Sequence, residues 1–181
     1  MDLFKCLSRP GALVVLLAAI FLLGLAQAPA LAAEPVTVQV KVTMSGPPAT
    51  MLPVGDDDNH SLGLGRRQGE AVFGDGRKAA YSNVYIIDLF RGRHLKAWGY
   101  TKMAFPDGSW IFFKWESEFA GPDERGEPTM RGTGELRKGT GPYQGIKGKV
   151  AFTNRRLPPG DKLPRGGTLA EAVLTYTLPT K

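Results

Sequence analysis

RGTGELRKGTGPYQGIKGKVAF, residues 131–152, decides the fold. Six glycines fall within the seventeen residues 132–148, separated by Thr, Glu, Leu, Tyr, Ile and basic residues, too ordered a mix for a linker. Glycine spaced this way inside strand-forming sequence marks bends, bulges and close backbone approach, the devices that let a sheet curl and close. A nucleotide site fails on spacing. After Gly139-Thr140-Gly141 the next glycine is Gly145, one residue too late for the dinucleotide fingerprint, and no helical period follows to offer an N-terminus to a pyrophosphate. Lys149 precedes Val150 rather than Ser or Thr, so there is no phosphate loop.

Working outward, residues 129–137 and 144–154 read as two strands joined through Gly139-Thr140-Gly141-Pro142. Upstream, residues 109–119 form the most aromatic strand, with Ile111, Phe113, Trp115 and Phe119 on one face and Trp110, Phe112, Lys114 and Glu116 on the other. Pro106-Asp107-Gly108 is the turn before it, proline fixing φ and glycine taking the left-handed position. Residues 94–105 and 78–90 precede that turn as strands, and over residues 84–90 both faces are apolar, which predicts cover on both sides. Residues 70–73 read as a short strand before Gly74-Asp75-Gly76. VTVQVKV, residues 36–42, alternates strictly as a half-buried strand, and residues 168–178 close the chain in the same way. Two segments read as long and irregular: residues 43–69, with three prolines, five glycines and the run Asp56-Asp57-Asp58, and residues 155–167, with three prolines and three glycines. Seven or eight short antiparallel strands without a helical period predict a sandwich or barrel, and the glycine bends favour a closed all-β barrel of about eight strands.

Ahead of that domain, residues 1–10 carry Lys5 and Arg9, residues 11–25 are unbroken apolar sequence, and residues 26–33 are rich in small side chains. This is the three-part pattern of a signal peptide, with an apolar run shorter than a spanning helix needs. The expected division is a leader over residues 1–33, cut near Ala32 or Ala33, and a barrel over residues 34–181, secreted or periplasmic and with no stable membrane anchor after cleavage. An uncleaved anchor is the alternative. The single cysteine, Cys6, lies before the apolar run, so the mature chain enters an oxidising compartment without a disulfide and its core alone must hold it. The whole chain carries a net charge of +6; without Lys5, Arg9 and Asp2, the 23 basic and 17 acidic residues become 21 and 16, a net of +5. The basic residues come in scattered pairs, read mainly as solvated faces and turns.

Recognisable chemistry is sparse. The mature chain has no cysteine and no Gly-x-Ser-x-Gly, and neither His60 nor His94 stands in a nucleophile-activating setting. Asp56, Asp58 and His60 are candidate metal ligands, but the run lacks the alternate spacing, central glycine and terminal acid of a calcium loop, and a solvated acidic loop is the competing reading. Asn59-His60-Ser61 matches a glycosylation acceptor in a eukaryotic host. No cofactor is expected. Nor is nucleic acid, given the leader, the modest charge and the missing aromatic strand motif of the common RNA-binding sheet. One carboxylate stands apart: if the face of Trp110, Phe112 and Lys114 lined a barrel, Glu116 would be an acid in an apolar interior, a candidate general acid or base. The competing reading makes Lys114 and Glu116 a charge ladder at the solvent end of the strand. Trp110, Phe112, Lys114, Glu116, Tyr85 and Tyr176 are the candidate ligand contacts.

The core Gly139-Thr140-Gly141-Pro142-Tyr143-Gln144-Gly145-Ile146-Lys147-Gly148 resembles the late strands of the allene oxide cyclase barrel-like superfamily, and is similar to the dirigent proteins that share that barrel. Gly99-Tyr100 and Asp107-Gly108-Ser109 fit the same pattern, and the resemblance spans residues 36–178, pointing to a secreted member of bacterial type. It implies an eight-stranded antiparallel barrel with an apolar cavity, in a superfamily whose plant members bind hydrophobic small molecules and steer their cyclisation or coupling, often as trimers. No catalytic motif of the plant cyclases matches residue by residue, so none is carried over. Lipocalins and avidins usually show Gly-x-Trp on the first strand, whereas the first tryptophan here is Trp98. Three functions remain open: a barrel that binds a hydrophobic small molecule or serves as a structural module, an isomerase or cyclase acting within it, and a protein that oligomerises through its two-sided apolar strands.

Overall fold

The computed structural model describes residues 34–160, 163 and 166–180. The expected leader and its cut lie outside the described residues. The strands are β1 (Val36–Ser45), β2 (Thr50–Pro53), β3 (His60–Phe73), β4 (Lys78–Phe90), β5 (Arg93–Ala104), β6 (Trp110–Pro122), β7 (Pro128–Gly139), β8 (Lys147–Leu157) and β9 (Gly167–Thr177), with one 3-10 turn at Gly141–Tyr143. All pairings are antiparallel, in the order β1-β9-β8-β7-β6-β5-β4-β3-β2. β1 also pairs with β3, from Val40 opposite Phe73 to Ser45 opposite Gln68, and this seam closes eight strands into a barrel. β2 stands outside that count, pairing with the first residues of β3 beyond the reach of β1.

Within each strand the period-two pattern sends one side inward. Val40, Val42 and Met44 of β1, Ile111, Phe113 and Trp115 of β6, and Ala170, Ala172 and Leu174 of β9 all lie in one continuous core. Register shifts at Asp88/Leu89 in β4 and at Phe112/Phe113 and Phe119/Gly121 in β6 bend the wall.

Residues 43–69 are not the irregular segment their composition suggests. β1 runs on to Ser45, β2 follows, and β3 begins at His60 and is the longest strand, at 14 residues. The glycines there relieve crowding rather than break the chain. A Cβ on Gly65 would lie 2.4 Å from Tyr85 Cζ, and one on Gly69 would lie 1.9 Å from the Thr43 carbonyl oxygen across the closing seam. The second expected loop is also shorter, because β8 continues to Leu157.

The glycine-rich stretch is the closed end of the barrel. Gly141 and Gly145 take φ of +58° and +76°, and between them the chain turns Tyr143 and Ile146 into the core at 5 % and 2 % exposure. Tyr143 stacks on Phe105 at 4.9 Å, and Phe105 lies 5.3 Å from Phe73. The Arg77 guanidinium covers Phe73 and Phe105, bonds Asp75 at 2.7 Å and donates to the Tyr143 hydroxyl. Burial pushes the Tyr143 phenol up, against the lowering effect of Arg77.

Over residues 84–90 the expected cover on both faces is absent among the described residues. Val84 on the outer face is 54 % exposed. It and Ile86 pair laterally with Tyr100 and Trp98 of β5, so the apolar outer side chains meet within the sheet, and among the described residues no second layer lies over them.

A candidate ligand cavity inside the barrel

Above the closed end the barrel holds a cavity of ≈ 290 Å³ that opens between the ends of β4 to β9. Its walls are aromatic and aliphatic: Tyr81, Tyr85, Phe113, Trp115 and Phe152 face Val42, Met103 and Val150. Trp115 and Phe152 meet edge to face at 5.8 Å. Such a concave, mostly apolar space with a few placed polar groups is the usual form of a small-molecule site.

The polar groups form a chain down one wall. The Arg67 backbone N–H donates to Asn83 Oδ1 at 3.1 Å, Asn83 Nδ2 donates to the Tyr81 hydroxyl at 3.1 Å, and that hydroxyl lies 3.2 Å from Thr101 Oγ1. Burial pushes the Tyr81 phenol up, so it stays protonated and serves as a fixed dipole rather than a base. The Trp115 indole N–H is buried without a partner among the described residues. A buried donor left unpaired costs about 1–3 kcal/mol.

At the mouth the lining changes character. Arg67, Arg93, Arg155 and Arg156 line it, and among the described residues no Asp, Glu, His or Cys lines the cavity. Among the described residues, the ionisable groups that line the cavity are arginines and tyrosines. The arrangement can enclose, orient and dry a molecule.

The structure divides the candidate contacts. Tyr85 lines the cavity, and Tyr176, 7 % exposed, belongs to the core. Trp110, Phe112, Lys114 and Glu116 are on the outer face of β6, so the face that lines the barrel is the opposite one, with Ile111, Phe113, Trp115 and Ser117. The reason lies in the two charges, which on the inner face would stand in an apolar space without a partner. Glu116 is exposed and pairs across the strands with Trp98 and Thr133. Phe112 stacks on Tyr100 at 5.7 Å, and Lys102 Nζ lies 5.4 Å from the Trp110 ring centre.

Of the candidate metal ligands, His60 and Asp56 come together and Asp58 does not join them. His60 Nδ1 bonds the Asp56 carboxylate at 2.7 Å and Nε2 bonds Asp88 Oδ1 at 3.0 Å. These bonds hold the imidazole above its ordinary value and the Asp56 carboxyl below its own. Both ring nitrogens are taken, and no cluster suited to a metal ion occurs among the described residues. The sequence reading missed Asp88, Trp115 and the four mouth arginines. The only available signal was the alternation of β6, where choosing the uncharged face as the interior selects Trp115.

No protein-family model and no curated protein matches the chain. Among solved structures it is similar to the pterocarpan synthase dirigent protein GePTS1, at 11% identity and a TM-score of 0.48, over 84% of this chain and 94% of that one. It is also similar to the pterocarpan synthase dirigent protein PsPTS1, at 12% identity and a TM-score of 0.45, over 82% of this chain and 99% of that one.

Proposed function

We propose that the protein binds a hydrophobic small molecule inside the barrel. The observation that carries this reading is the cavity itself, ≈ 290 Å³ and walled by aromatic side chains. An engineered apolar cavity of about 150 Å³ takes up benzene, so a space about twice that size suits a body of one or two rings. Fluorescence titration with N-phenyl-1-naphthylamine, a neutral apolar dye, tests it. The dye brightens on wild-type protein and is lost from the Ala170→Phe variant, which places a ring inside the cavity; circular dichroism confirms that the variant is folded. Undiminished dye binding to folded Ala170→Phe refutes the reading.

A second reading, association of copies of the chain, is favoured by the outer face of β2 to β5. Leu52, Leu64, Val84 and Tyr100 are 62 %, 54 %, 54 % and 50 % exposed. Cross-strand pairs join them through Leu62, Ile86 and Trp98 into one apolar surface, and such patches mark interaction sites more often than ordinary surface. Light scattering decides it: an oligomer that Val84→Lys dissociates supports it, and a strictly monomeric wild type refutes it.

A further inference from the structure

The cavity has two chemically different ends. Below are aromatic rings and aliphatic side chains; toward the mouth the lining residues include four arginines. Arg67 is the informative one. It is a half-buried residue on the inward face of β3, with Cζ 5.2 Å from the centre of the Tyr85 ring, and its Nη1 donates to the hydroxyl of Thr168, which is 5 % exposed. Its partners are all neutral: a hydroxyl and a π face. Removing a cation from water without a counter-charge is unfavourable, and proteins usually avoid it by pairing the charge.

The other three arginines do not provide that pairing; they add to the charge. Among the described residues, none of Arg67, Arg93, Arg155 and Arg156 takes part in an ion pair. Arg155 helps to keep Asp123 ionised, but the Asp123 carboxylate is committed to its own turn, accepting from the Arg125 and Glu127 backbone N–H groups at 2.9 Å. The mouth therefore presents concentrated positive charge above an apolar, low-dielectric cavity, which strengthens its attraction for a negative group. Guanidinium groups suit planar carboxylates in particular, since their paired N–H donors match the two oxygens.

We infer that the ligand is an amphiphilic monoanion, a compact aromatic body with one carboxylate, seated with its ring among Phe113, Trp115 and Tyr85 and its carboxylate at Arg67 and the mouth arginines. This rests on the binding reading above and adds the head group. Cavity size limits the body to one or two rings, and the walls favour aromatic faces stacked or set edge-on. The head group would provide the counter-charge that Arg67 lacks.

The test uses two compounds that differ only in the head group, 4-phenylbutyrate and 4-phenylbutan-1-ol, each displacing N-phenyl-1-naphthylamine at low ionic strength and neutral pH, with direct calorimetry of both. The acid is expected to bind roughly tenfold or more tightly than the alcohol, as for a charge-assisted hydrogen bond. The preference is expected to shrink as salt rises. Arg67→Gln removes it, bringing the affinity for the acid down to that for the alcohol. Should Arg67→Gln fail to fold, the pair Arg155→Gln and Arg156→Gln provides the same comparison. Equal binding of acid and alcohol to wild-type protein overturns the anion inference and leaves the cavity reading standing. Failure of dye, acid and alcohol alike to bind overturns both.

Discussion

Replacing Gly69 by alanine tests the closing seam directly. Gly69 faces Met44 across β1 and β3, and the pairing there is what turns an open sheet into a barrel. A Cβ at Gly69 would lie 1.9 Å from the Thr43 carbonyl oxygen and 2.7 Å from Met44 Cα, both backbone atoms held in register by β9 on their far side. Neither can swing away, so the strands must part. Where a site accepts it, Gly→Ala in a strand stabilises by about 0.5–1 kcal/mol, because the unfolded chain has less freedom to lose. Overpacking of a fixed structure destabilises by about 1–3 kcal/mol, so the expected net effect is a loss of about 1–2 kcal/mol, opposite in sign to the intrinsic preference. Urea unfolding followed by tryptophan fluorescence should show the midpoint falling by about 1 M for a slope of 1–2 kcal/mol per M. Gly65→Ala is the internal control. Its Cβ would meet the far end of the Tyr85 ring, a side chain that can rotate, so stability changes less while dye binding weakens as Tyr85 moves into the cavity. A Gly69→Ala protein as stable as wild type, or more so, would show that the seam is not tightly packed and refute the reasoning.

Three further outcomes are expected. His60 is held above its ordinary value of 6.5 by Asp56 and Asp88, so its contribution to stability is fully present below that value and is lost as pH rises through the folded pKa; Asp56, held below 3.8, loses its contribution as pH falls through its own folded value. The clasp is therefore strongest between these limits, and chemical denaturation across pH should show an upper-limb decline that His60→Gln abolishes. Tyr143→Phe keeps the stack on Phe105 but removes the acceptor for Arg77, and calorimetry should show a loss of about 1.5 kcal/mol, the low end for a hydrogen bond to a charged group because Arg77 keeps Asp75. Glu116→Gln, on the outer face of β6, should leave titrations with dye and 4-phenylbutyrate unchanged; loss of either would show that β6 turns its other face inward.

Where a strand alternates between strongly apolar and strongly polar residues, as in VTVQVKV, the sequence declares both the strand and its inner face, and β1 and β9 fold accordingly. β3 hides its nature because its inward positions include Gly63 and Gly65, chosen for what stands opposite them, Ile87 and Tyr85. A sequence shows no opposite strand, so an absent side chain reads as a loop. β6 poses the converse problem: both faces carry large aromatics, and hydrophobicity alone does not choose between Phe112 and Phe113. Lys114 and Glu116 would have chosen, since an interior that must stay dry excludes them more firmly than it attracts another ring. The mouth arginines were beyond reach for a different reason. Arg67, Arg93, Arg155 and Arg156 come from three strands far apart in sequence and become one positive rim only once β1 meets β3 and the sheet closes.

That dependence on closure links the architectural stretch to the functional one. The turn at Gly141–Tyr143 and the aromatic stack beneath Arg77 fill one end of the barrel, and the arginines line the cavity beyond it. An apolar body can enter the cavity only as far as its length and the buried Met103 and Val150 that line it allow, and a charged head on that body is left where Arg67 is fixed by Thr168 and Tyr85. Removing a buried side chain from the cavity wall would leave the arginines in place but loosen the depth limit that aligns a head group with them. A Met103→Ala protein that remains folded should accordingly bind the neutral dye at least as well as wild type while losing preference for 4-phenylbutyrate over its alcohol, because neutral bodies gain room and charged heads lose register. Retained preference in that variant would mean that the arginines attract anions without help from the depth limit.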